Sequence, residues 1–183
     1  MKTHLFAAAL LASSYTQAQE SRSETQAIRC AALSFVHTSM TASNPGFGEA
    51  MTQLAQLYGA VFGSSQRVRT GSSLTVGDIN ARREVVLTEL KKSWSSNPEV
   101  VVREAALCNA WRADFAPRLA ASSDGQSEAE FLRIVGQPPE KPSAEEVERW
   151  RRVVPVAFAA WAELDFATPS STRKKVEESL RKP

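Results

Sequence analysis

Two cysteines, Cys30 and Cys108, and the one histidine inside the body of the chain, His37, are the residues whose types most readily do chemistry. No Cys-x-x-Cys occurs, so a thiol redox pair is not the natural reading. The two cysteines are expected to form a disulfide, closing a loop of about 78 residues that removes roughly 4 kcal/mol of denatured-chain entropy. His37 follows Cys30 by two helical turns on the same face. If the two cysteine-bearing segments are neighbouring helices, His37 approaches Val101 and Glu104. A His37–Glu104 pair has the elements of a general base with its orienting carboxylate. The simpler alternative is a histidine hydrogen-bonded across helices. A single imidazole excludes zinc sites of the His-Glu-x-x-His type. Gly63-Ser64-Ser65 and Gly71-Ser72-Ser73 lack the strand and helix context of a nucleophile elbow or phosphate loop. No catalytic residue, metal site or cofactor is assigned.

Cations stand beside tryptophans in Lys91-Lys92-Ser93-Trp94, Trp111-Arg112 and Trp150-Arg151-Arg152. Such pairs suit glycans or nucleic acids. Here each tryptophan continues an apolar stripe, which makes core packing with solvated outer cations the simpler account. Lys and Arg total 22 against 20 Asp and Glu, a net charge of +2. That balance produces no field favouring nucleic acid, and none is expected as a partner.

Positioning these groups requires helices. Apolar residues recur at helical spacing from Glu24 to Met40, and again along Phe47, Met51, Leu54, Tyr58, Val61 and Phe62. Thr41 to Gly46 stacks turn formers between them. Gly63 to Leu74, rich in glycine and serine around Arg67 and Arg69, reads as a long exposed loop. Thr75 and Asp78 have the spacing that begins a third helix, carrying Ile79, Val86, Leu90 and Trp94. Asn97-Pro98 opens a fourth, with Val101, Ala105, Cys108, Trp111 and Phe115 on its inner stripe. A break follows at Ser122 to Gly125, then a short helix from Glu128 to Val135, and an elbow from Gln137 to Pro142. Ser143 and Glu146 match a capping box for a long helix through Val147, Trp150, Val154, Phe158, Trp161 and Leu164. Pro155 is expected to kink that helix, with a break near Val153 as the alternative. Thr168-Pro169 begins a last polar helix.

The chain opens on Met1-Lys2-Thr3-His4, an apolar run from Leu5 to Ala12, and a small polar stretch ending at Ala18. This is the layout of a secretory signal peptide, with cleavage expected after Ala18. The run is too short to remain as a membrane span. The expected organisation is a signal peptide over residues 1–18, a disulfide-clamped bundle over 19–121, and a C-terminal helical extension over 122–183 that packs on the bundle. The fold class is all-α, with about four core helices, two or three C-terminal helices and one disulfide. An apolar content of 43% is enough for a genuine core.

These readings point to a periplasmic or secreted, non-catalytic helical protein that binds a protein partner or an envelope component, with no integral membrane segment in its mature form. Arg67 and Arg69 on the exposed loop are candidate contact residues. So are Phe158 and Trp161, should their helix stand away from the bundle. The alternative is a small-ligand carrier or a hydrolase with an inter-helix pocket lined by His37, Tyr58, Trp94, Glu104 and Trp111.

Overall fold

The computed structural model describes residues 22–122 and 125–167. Within them the chain is an all-α bundle without strands: α1 (residues 22–38), a 3₁₀ turn (Ser39–Ala42), α2 (Pro45–Thr70), α3 (Val76–Ser96), α4 (Pro98–Ala120), α5 (Glu128–Val135) and α6 (Ala144–Ala167). None of the described helices is long and apolar enough to cross a membrane. The expected leader and the helix after Thr168 lie outside the described residues.

Local chemistry sets the helix boundaries. Asn44 caps α2 by accepting from the Phe47 amide, and Pro45 fills its first turn. Thr75 and Asp78 exchange the two bonds of a capping box at the start of α3. Ser127 and Ser143 accept from the amides of Glu130 and Glu146. Gly71 ends α2 with φ at 74°, a left-handed turn that a side chain would strain.

Two expectations are corrected. Residues 63–70 are not a loop but the last turns of α2, and only residues 71–75 connect α2 to α3. Gly63 is a contact surface here. A Cβ at that position would lie 3.3 Å from the Ile79 Cδ1 of α3, so the missing side chain lets the two helices approach. Farther along, Gln66 and Arg69 bond Glu24 of α1, and Arg67 reaches Glu128 of α5. Tertiary partners outweigh the weak helix propensity of the glycine and serines. Nor does Pro155 end a helix, because α6 continues past it to Ala167. Pro155 lies on the exposed face, where water can serve the carbonyl its ring leaves unbonded, while Val154, Ala157 and Phe158 hold the inner face in the core.

At the centre is α1. Ala27, Ile28, Ala31, Ala32, Leu33 and Val36 are buried on several sides of it, the pattern of a helix enclosed by others. Cys30 joins it to Cys108 of α4 through a disulfide, with the two Cα atoms 5.5 Å apart. One continuous core takes in α1, Tyr58 of α2, Leu90 of α3, Trp111 and Phe115 of α4, and Trp150, Val154 and Phe158 of α6. Residues on both sides of position 122 therefore share it.

Candidate functional site

His37 sits near the end of α1, and its side chain is almost wholly enclosed, at 1% exposure. Its Nδ1 lies 2.6 Å from the Leu33 carbonyl, which requires the proton on Nδ1 and leaves Nε2 as an acceptor. Burial pushes the imidazole pKa down to about 4, opposed by the Leu33 carbonyl. The ring is neutral at pH 7. Trp150 of α6 packs edge-on to it, with centroids 5.1 Å apart.

Neither sequence reading of His37 holds: it bonds Leu33 of its own helix rather than a group across helices, and it does not pair with Glu104. Glu104 instead holds both Arg29 Nε and Arg29 Nη2, the latter at 2.9 Å, while Arg29 Nη1 lies 3.1 Å from Glu89. A forked, charge-assisted contact with a guanidinium is stronger than one with a neutral imidazole. The hydrogen bonds that Arg29 donates to Glu104 raise the Arg29 pKa against the opposing cost of burial. His37 is oriented by a carbonyl rather than a carboxylate.

The other expected pocket residues also separate. Tyr58 donates its hydroxyl to the Cys108 carbonyl and packs on Trp111 and Phe115. Burial raises the phenol's pKa, so it stays protonated. The indole of Trp111 donates to the Val135 carbonyl at 3.2 Å, tying α4 to the end of α5. Trp94 stacks on Phe158 in another part of the core. Of the five residues, only His37 lines the small cavity beside the disulfide, whose free space is about 10 Å³. That is far below the volume an organic ligand needs.

Phe158 and Trp161 are corrected as exposed contact residues. They are 4% and 9% exposed, because α6 lies against α4 and brings them to Trp94 and Lys91 of α3. The Lys91 Nζ stands 4.4 Å from the Trp161 ring centroid, a cation–π contact. Arg67 and Arg69 project from the last turn of α2 into ion pairs. Arg67 meets Glu128 at 3.3 Å, and Arg69 grips both oxygens of Glu24 at 2.9 and 3.0 Å.

Arg69 also borders an open concavity, a cleft of about 500 Å³ between α1, α2 and α3. Ile28, Phe62, Leu74 and Val86 supply its apolar surface, and Glu24, Arg29, Asp78, Arg82 and Glu89 supply charge of both signs. Thr75 hydrogen bonds hold the Asp78 carboxyl below its ordinary pKa, so it is ionised at neutral pH. Sequence reasoning missed this cleft because its residues come from three helices and no short motif joins them. No group of three or more His, Cys, Asp or Glu residues among the described residues could hold a metal ion. No family model, curated protein or solved structure matches this chain.

Proposed function

We propose that this chain is an exported, non-catalytic binding protein that takes a segment of a partner protein into the cleft between α1, α2 and α3. The observation that carries the reading is the cleft's composition. An apolar floor with charged walls of both signs suits an amphipathic segment, whose apolar side chains enter and whose flanking charges meet Arg82, Asp78 and Glu89. Its walls are preorganised. Arg69 is fixed by Glu24 and Arg29 by Glu104, so these side chains lose little freedom on binding.

Export is supported by the Cys30–Cys108 disulfide, since such bonds persist in oxidising compartments, and by the leader-like pattern of residues 1–18. The carrier or hydrolase reading has less support, because the cavity at His37 is too small for a substrate.

The test is retention from an envelope extract on immobilised oxidised protein, comparing wild type with Arg82→Glu and Val86→Asp. A specific protein species should be retained by wild type and lost with both variants, while Arg149→Glu on α6 still retains it. Equal retention by all forms, or none by wild type, contradicts the proposal.

A further inference from the structure

We propose that His37 and Trp150 hold a single internal water molecule in the cavity between α1, α2, α4 and α6. Two polar atoms there have no partner among the described residues, His37 Nε2 and Trp150 Nε1, and both are enclosed. Their chemistry is complementary. The Leu33 carbonyl fixes the histidine proton on Nδ1, so Nε2 offers only a lone pair, while the indole nitrogen offers only a proton.

A water oxygen accepts from the indole and one of its hydrogens donates to the imidazole, satisfying both in one step. The same cavity is lined by Ser34 and Asn109, and its free space of about 10 Å³ fits one water and nothing larger. His37 and Trp150 by themselves give the water two partners, the lower end of the two to four that buried waters usually have. Leu33, Met51, Leu54 and Ala105 form the apolar remainder of the lining. Cys108 lines it as well, so the water bridges α1 to α6 beside the covalent tie between α1 and α4.

The experiment is nuclear magnetic resonance on the oxidised, ¹⁵N-labelled full chain. The Trp150 indole proton should show a direct Overhauser contact to a long-lived water, and the His37 ¹⁵N pattern should show a protonated Nδ1 with a hydrogen-bonded, unprotonated Nε2. The water contact should persist in Ser34→Ala, which removes the hydroxyl as its source, and disappear in His37→Phe. If His37→Phe does not fold, the wild-type and Ser34→Ala spectra still decide the matter. A missing water contact in wild type, its loss in Ser34→Ala, its persistence in folded His37→Phe, or a scalar coupling running directly from the indole N–H to Nε2 overturns the proposal.

Discussion

Two stretches of one helix handle polar groups in opposite ways. Residues 24–29 of α1 border the open cleft, where Glu24 and Arg29 keep their charges by pairing with Arg69, Glu104 and Glu89. Residues 33–37 of the same helix face the small cavity beside the disulfide, where the enclosed His37 gives up its charge and bonds a carbonyl. Access to water explains the difference. An ion near a rim keeps part of its hydration and pairs with an opposite charge, whereas an enclosed imidazole is cheaper to keep neutral. The charged rim of the cleft and the neutral core are thus separated by about two turns of one helix.

Between the two stretches stands the disulfide, and its removal should have the largest effect. Replacing Cys30 and Cys108 together by alanine should lower stability by about 4 kcal/mol. Thermal melting should show this as a fall of roughly 10 °C. An unchanged melt would mean that noncovalent packing alone holds α1 against α4.

Acid should act next, through the enclosed histidine. His37 has a folded pKa of about 4 against 6.5 for the free imidazole, so the unfolded state binds its proton first. The contribution of a neutral His37 is fully present above pH 6.5 and is lost as pH falls from there toward 4. The loss amounts to about 3 kcal/mol across that window. Urea titrations at several pH values should reveal this slope, and His37→Phe should flatten it. A slope that survives the substitution would move the acid sensitivity to other groups.

At the rim, Arg29→Met should cost about 2 kcal/mol, because Glu104 remains partly buried without its cation. Tyr58→Phe should cost only about 1 kcal/mol, since it deletes the single bond to the Cys108 carbonyl while leaving the ring stack intact. Chemical denaturation measures both, and a reversed order would mean that the rim is more solvated than the core contact is valuable.

Capping and turn chemistry was legible in the sequence because it is local. Thr75 with Asp78 and Ser143 with Glu146 each mark a helix start within four residues, and each does so in the structure. The cysteine pairing was legible because only two candidates exist. Misreadings arose wherever a distant helix decides. Gly63 to Thr70 has the composition of a loop, yet Ile79 of α3 and Glu24 of α1 give those residues helical partners. Tyr58, Trp94 and Trp111 lie on stripes that a pocket and a core would share, and only inter-helix geometry tells the two apart. Arg29 left a usable signal that was not read: a lone cation between Ile28 and Cys30 on an otherwise enclosed helix needs a carboxylate, and Glu104 supplies it.

The cleft as recognition surface is tested most directly by placing a photo-crosslinking amino acid at position 82 and, separately, at position 149 of α6, which contributes nothing to the cleft. Irradiated in the oxidised protein within an envelope extract, position 82 should give a discrete covalent adduct with a partner protein, and position 149 should give none. Adducts of equal yield at both positions, or adducts from position 149 alone, would contradict the assignment of binding to the α1–α2–α3 face.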